Sequence, residues 1–248
     1  MSFSYNAIWE DAVRLLRQHA PLLAAVAGVF LFLPNLLFTV FMPSPIPAQG
    51  GDPGRALQMI LDYYREAAPW FLLMNVFTMV GTLAMLRLVF ARNTTVGDAL
   101  VQGLILTPFY FLLSIICGFM IGFGLLLLIV PGLYLFGRLA PFPAVLVAEN
   151  RRGPVDAIGR TFALTKGRGW GIVGIVFVVA VVAGIAVGVA DTLFGLIFVL
   201  AAGQDLGRTL TAVVSAALSA ALATLLVMLY AAIYRALAGT NSVAATFE

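Results

Sequence analysis

The chain has 248 residues, 62% of them hydrophobic and only 10% charged, with a mean hydropathy of +1.05 and a net charge of +3. Soluble domains carry about a quarter charged residues, so this composition is that of an integral membrane protein. No segment between apolar runs exceeds about thirty residues, which is too short for a separate water-soluble core. With Cys117 the single cysteine and His19 the single histidine, an intrachain disulfide and a Cys/His metal site are both excluded, and no cofactor is expected.

The first predicted element is an amphipathic helix. Ile8, Trp9, Ala12, Val13 and Leu16 form one stripe against Glu10, Asp11, Arg14, Arg17 and Gln18, with Glu10 and Arg14 a favourable i,i+4 pair. Met1 to Ala20 is too long and too acidic for the n-region of a secretory signal, so Leu22–Met42 is expected to be a retained first span, kinked at Pro34. The Pro- and Gly-rich stretch Pro43–Gly54 predicts turns and extended chain on the outer side. The following RALQMILDYYREAAPW places Leu57, Ile60, Leu61 and Tyr64 on one face. It reads either as a short helix on the outer membrane surface or as an irregular loop.

A second span is predicted at about Pro69–Ala91. Thr95 with Asp98 resembles a capping box that opens the next helix. The third and fourth spans lie within Gly103–Ala148, turning somewhere in CGFMIGFG, residues 117 to 124, and Pro131-Gly132 is expected to kink or break the fourth. The polar stretch RRGPVDAIGRTFALTKGRGW, residues 151 to 170, holds five of the fourteen basic residues. Pro154 suits a first helical position; Val155, Ile158, Phe162 and Thr165 line one face; Gly167 and Gly169 end the helix. The fifth and sixth spans are about Gly171–Ala190 and Leu210–Leu237. Runs such as LLLLIV show no period-two alternation, which argues against a β-barrel. The expected architecture is all-α and polytopic, with about six transmembrane helices.

Basic residues fix the orientation. With the N-terminus inside, the inner side carries Arg14, Arg17, Arg87, Arg92, Arg138, Arg151, Arg152, Arg160, Lys166, Arg168 and Arg235, and the outer side only Arg55, Arg65 and Arg208. Both termini are therefore expected in the cytoplasm.

A threefold pattern runs through the same residues. Asp11-Ala12-Val13, Asp98-Ala99-Leu100 and Asp156-Ala157-Ile158 each precede a predicted pair of spans, and each pair ends near an arginine, Arg87, Arg138 or Arg235. The single membrane domain, 1–248, thus divides into possible internal repeats at 5–92, 95–149 and 153–239, each an amphipathic inner-surface helix followed by a helical hairpin.

Residues 131 to 170 carry Pro131-Gly132, Arg138, an apolar run ending at Glu149, then Gly153-Pro154, Asp156-Ala157, Arg160 and Leu164-Thr165-Lys166-Gly167. With these features the chain resembles the multi-pass membrane domain attached to some bacterial glycerophosphodiester phosphodiesterases, and its stand-alone bacterial relatives. Thr161 stands where that family usually has serine. The resemblance covers about 40 residues and implies a six-span helical domain. It does not imply phosphodiesterase activity, because the family's catalytic barrel is a separate domain that these residues do not contain.

The candidate residues follow. Arg151, Arg152, Arg160, Lys166 and Arg168 could bind anionic headgroups or a protein partner, against the alternative that they only set topology. Arg138 is either a buried cation paired with Asp98 or Asp156, or an arginine snorkelling to the inner headgroups as Arg87 and Arg235 do; the analogy favours snorkelling. The rows Gly184–Gly188 and Ser215–Ser219–Ala223 suggest close helix packing within the chain, or a homo-oligomer. The spans show no acidic pair and no Ser–His arrangement, and the basic patch has few aromatics to stack bases, so neither an enzyme nor a nucleic-acid binder is expected. The expected function is that of a non-catalytic inner-membrane accessory, assembly or membrane-organising module. The alternative is a carrier of an apolar or lipidic substrate.

Overall fold

The computed structural model describes residues 4–41, 53–91, 94–151 and 153–244, and every regular element among them is helical. Arg92, Arg152 and residues 43–52 of the expected Pro43–Gly54 turn region lie outside the described residues. Five segments are long and apolar enough to cross a membrane: Ala20–Phe41, Leu57–Phe90, Val96–Leu127, Ile129–Ala148 and Gly169–Gly239.

Helix α1, Tyr5–Gln18, starts where the Ser4 hydroxyl accepts the Ala7 N–H at 3.4 Å. Its buried face is Ile8, Ala12 and Leu15, with Trp9 and Val13 at the flank. That face packs on protein, Ile8 and Ala12 sharing a cluster with Ile172, Leu229 and Leu237. Ile8 and Ala12 of the apolar stripe are therefore covered by the chain itself, while Trp9 stays half-exposed.

The first span is made of α2, Ala20–Ala27, a π-helical turn, Gly28–Phe32, and α3, Leu33–Phe41. Pro34 has no N–H to give, and the ladder slips by one residue just before it, the Leu33 N–H reaching the Gly28 carbonyl. The expected kink is thus realised as a π turn. Gly81 lets the next helix approach there, since a side chain at 81 would begin 2.7 Å from Phe30 Cβ.

Helix α4 runs without interruption from Pro53 to Phe90. The expected outer-surface element is its first part, because Pro69 costs one backbone bond but does not end a helix whose neighbours hold it. Phe38–Phe71 and Phe30–Phe77 contacts, at 4.8 and 5.8 Å, tie the first span to it. Helix α5, Val96–Leu127, likewise merges the expected second surface helix with the third span, carrying Pro108 inside.

The turn after α5 is at Leu128 (φ −157°, ψ 140°), outside the expected 117–124. Gly118 and Gly122 stay helical, and a side chain begun at either would meet nothing within 4 Å among the described residues. The tight turn is permitted instead by Gly124 and Gly132: a side chain at 132 would begin 2.5 Å from the Leu125 nitrogen. Helix α6, Ile129–Leu139, follows, and Pro141 separates it from α7, Phe142–Ala148, whose residues Pro143 to Val147 are all buried. Helix α8, Pro154–Leu164, buries Ala157, Thr161 and Leu164, while Val155 of the expected face is 76% exposed.

The last two expected spans form α9, Gly169–Ala244, interrupted at Gly203 (φ 80°, ψ 178°). Its limbs face each other: Ser215 donates to Asp191, Gly195 lies against Thr211, and Gly207 against Val199. The stretch between 190 and 210 is therefore helical up to a one-residue break, where a longer loop was expected. A side chain begun at Gly184 or Gly188 would meet nothing within 4 Å among the described residues, so these two glycines are not sites of close packing there, whereas Ser215 bonds across to Asp191.

Burial is concentrated at one end. Leu83 to Leu86, Val145 to Val147, Leu229 and Ala231 to Ile233 are buried, while Leu126 to Val130 at the α5–α6 turn and most large residues from Phe177 to Leu200 are exposed. Gly137 is a close contact of that packed end. A side chain there would begin 2.6 Å from the Gly169 carbonyl and 3.0 Å from the Val173 nitrogen, both backbone atoms. Gly137→Ala is expected to cost about 1–3 kcal/mol and lower the thermal unfolding midpoint of the purified protein. Gly184→Ala, in open space, is expected to leave it unchanged; equal midpoints for the two variants would contradict the packing described.

Candidate functional site

The polar end of the molecule is organised by a carboxylate that follows an apolar helix. Beyond α7, Asn150 takes the left-handed conformation (φ 47°), and the Arg151 N–H returns to the Leu146 carbonyl at 3.2 Å. This is a Schellman-type closure with asparagine in the place usually taken by glycine. It turns the chain sharply enough for Arg151 Nε to reach Glu149 Oε2 at 2.7 Å. Helix α8 then brings Arg160 Nε to the same carboxylate at 2.9 and 3.2 Å. The Tyr234 hydroxyl of α9 donates to Oε1 at 3.4 Å, and the Tyr234 ring meets Phe90 edge-on at 5.4 Å.

Glu149 is 17% exposed, and its two arginines are 38% and 36% exposed. Burial alone would raise the Glu149 pKa. The hydrogen bonds and charges of Arg160 and Arg151 outweigh it and hold the carboxyl below its ordinary value. Both arginines use Nε alone, leaving their terminal nitrogens without a protein partner among the described residues. The cluster carries a net charge of one positive unit and four N–H-bearing terminal nitrogens, an arrangement suited to an anion.

The neighbouring residue of α9 makes the second tie. Arg235 Nη1 lies 3.4 Å from Asp11 Oδ1 of α1, and Arg14 Nη2 is 3.5 Å from the same oxygen. Of the six residues in the threefold pattern, only Asp11 and Arg235 meet as an ion pair. Asp98 and Asp156 both sit in the first turn of a helix: Asp98 accepts from the Thr95 hydroxyl at 2.7 Å while its N–H bonds that hydroxyl at 3.1 Å, and Asp156 folds back over Gly153.

Arg138 takes partners that the sequence did not suggest. It donates to the Phe162 carbonyl and, at 3.3 Å, to the Thr165 hydroxyl, with its guanidinium 4.5 Å from the Phe162 ring centre and 5.8 Å from that of Tyr134. A cation on a carbonyl in the last turn of α8 offsets the negative end of that helix. Neither Asp98 nor Asp156 is its counter-ion, which removes the buried-pair alternative. Arg87, at the end of α4, has its Nε buried without a hydrogen-bond partner.

The five-residue basic patch is divided. Arg151 and Arg160 converge on Glu149; Lys166 is exposed beyond the end of α8; Arg168 is half-buried past Gly167, which has φ 74°; Arg152 lies outside the described residues. The organising residues Glu149 and Tyr234 were not among the sequence candidates. Glu149 did carry a signal: a lone acid at the end of an apolar run, separated by one residue from two arginines.

The chain matches no family model, no curated protein and no solved structure.

Glu149→Gln removes the anionic partner of both arginines and is expected to destabilise the protein by roughly 1–2 kcal/mol, after allowing for the partial exposure of the pair. The folded-state pKa is lowered, so the contribution is complete above the ordinary carboxylate value and is lost as pH falls through the folded one. Thermal midpoints measured from neutral to acid pH are expected to show the wild-type advantage over the glutamine variant shrinking below about pH 4.5. An advantage that stays constant or grows on acidification would be inconsistent with a charged Glu149.

Proposed function

We propose that the protein is a non-catalytic, lipid-contacting module of a bacterial inner membrane. Both termini lie in the cytoplasm and the chain is arranged as three helical hairpins, in the manner of the membrane domains it resembles over residues 131–170. Its role is accessory or membrane-organising, acting on anionic headgroups or a protein partner through its basic inner surface.

The observation that carries this reading is the pair of arginines on Glu149. Held through Nε, Arg151 and Arg160 present two guanidinium ends already fixed in place, and phosphate oxygens are the natural acceptors for such a fork. Glu149 acts here as a positioning residue. Lys166 adds an exposed charge near the same surface. An acyl-chain surface supports the same reading. An open groove of about 590 Å³ runs between the start of α1 and α9, lined by Tyr5, Trp9, Ile175, Val178, Val182 and Leu225 among others. Its walls are almost wholly apolar, with Tyr5 and Trp9 half-exposed at one rim, as aromatic residues are at a membrane interface. The groove also favours a second reading, a carrier of an apolar or lipidic substrate. That reading adds the requirement that the bound lipid exchange between leaflets.

The test is native mass spectrometry of protein released from membranes in gentle detergent. Anionic phospholipid is expected to be retained in preference to zwitterionic lipid. At about 1 kcal/mol per basic residue, Arg151→Gln and Arg160→Gln are each expected to weaken that preference about fivefold. A clean monomer carrying neither lipid nor partner, or an unchanged preference in both variants, would sink the proposal. Lipid transfer between leaflets of proteoliposomes above the protein-free rate would instead select the carrier.

A further inference from the structure

The turn between α5 and α6 has an unusual composition for a connection between two spans. From Leu125 to Val130 its six residues are all aliphatic, with exposures of 44, 82, 63, 68, 74 and 62%. Among the described residues, the break in α9 is different in kind: Gly203 is followed by Gln204, Asp205 and Arg208. A turn that emerges into water is normally built of polar residues. This one is built like the surface of a span.

Its reach is equally telling. Gly137, near the end of α6, lies against the Gly169 carbonyl and the Val173 nitrogen at the start of α9. Leu128 is nine residues from Gly137, so at 1.5 Å per residue the turn can stand no more than about 14 Å from that level. Lys166, Arg168 and the half-exposed Trp170 mark the same level as a headgroup boundary. The hydrocarbon beyond it is about 30 Å thick. The first limb of α9 has the length to cross; α6 reaches about half-way. Although Ile129–Ala148 is long enough as a sequence, its α7 part is buried among other helices and presents no surface to lipid.

The backbone suits that position. Only Leu128 leaves the helical conformation. Its N–H is bonded to the Gly124 carbonyl at 3.0 Å and its carbonyl to the Gly132 N–H at 3.4 Å. Pro131, in the first turn of α6, has no N–H to leave unsatisfied. Gly124 and Gly132 close the two helices onto each other and keep the turn to one non-helical residue.

We propose that the α5–α6 hairpin is re-entrant: it enters the bilayer from the cytoplasmic side, and its tip, Leu125 to Val130, is seated among acyl chains and never reaches the outer water. The partner of this exposed apolar surface is lipid hydrocarbon. Complete crossings are then made by the first span, α4 and the two limbs of α9, and the two termini stay on the same side. The hairpin occupies area on the cytoplasmic side of the bilayer that it does not occupy on the other, the asymmetry expected of a membrane-organising wedge. This inference rests on the membrane reading above.

The test uses the full chain in sealed membrane vesicles, with Cys117 replaced by alanine and single cysteines placed at Leu126, Ile129, Gln204 and Lys166. With a membrane-impermeant maleimide, Gln204→Cys is expected to react from the outer face and Lys166→Cys from the inner. Leu126→Cys and Ile129→Cys are expected to react at least tenfold more slowly from either face. A nitroxide attached at position 126 is expected to collide more with oxygen, which concentrates in hydrocarbon, than with a water-soluble nickel chelate. Reaction of Leu126→Cys or Ile129→Cys from the outer face at the Gln204→Cys rate, or nickel dominating oxygen, would overturn the proposal. If Gln204→Cys and Lys166→Cys react from the same face, the underlying membrane reading fails, and this inference with it.

Discussion

A single carboxylate between two guanidinium groups is the interaction on which the packed end of the molecule depends. Glu149 receives Arg151 across a tight turn, Arg160 from α8 and Tyr234 from α9, and the Tyr234 ring leans on Phe90 at the end of α4. Elements far apart in the chain meet at one charge. The next residue of α9, Arg235, holds α1 through Asp11. Surface ion pairs are individually weak, but one partly buried carboxylate with several donors gains from the network and from its fixed geometry.

Below this polar layer the forces are different. Helices in hydrocarbon gain little from hiding apolar side chains from one another, and close backbone approach takes over. Gly81 on Phe30, Gly103 on the backbone of α4, Gly124 on Gly132 and Gly137 on the start of α9 are the places where it happens. Towards the other end most apolar side chains are exposed, as those of a chain solvated by lipid are expected to be. A scaffold that is tight at its polar end and open elsewhere offers much surface to lipid, and this is the physical basis for the proposal that it acts through lipid contact.

Much of the helical architecture was legible in the sequence, because long apolar runs and the N-terminal signals at Thr95 and Pro154 act locally. The errors have a common cause. Proline does not by itself mark a break here: Pro69 and Pro108 lie inside continuous helices, whereas the turn at Leu128 falls on an aliphatic residue. What decides is whether neighbouring backbone can approach, a tertiary property that Gly124 and Gly132 acquire only when α5 and α6 meet. The site was legible in part for the same reason. The basic patch is visible as a string of residues, but the convergence of Arg151 and Arg160 on Glu149 needs the left-handed turn at Asn150 and the docking of α8. For Arg138 the sequence offered an acid or the headgroups as partner, with the headgroups favoured; in the structure the Phe162 carbonyl and the Thr165 hydroxyl serve instead.

The coupling between Glu149 and Arg160 tests the central claim most directly. Unfolding free energies, or thermal midpoints at fixed lipid and detergent, would be compared for wild type, Glu149→Gln, Arg160→Gln and the double variant. If the carboxylate organises this end of the fold, the double variant is no less stable than Glu149→Gln alone, with a coupling on the order of 1 kcal/mol. Strictly additive losses would mean that the two side chains act independently, and that the packed end is held by something else.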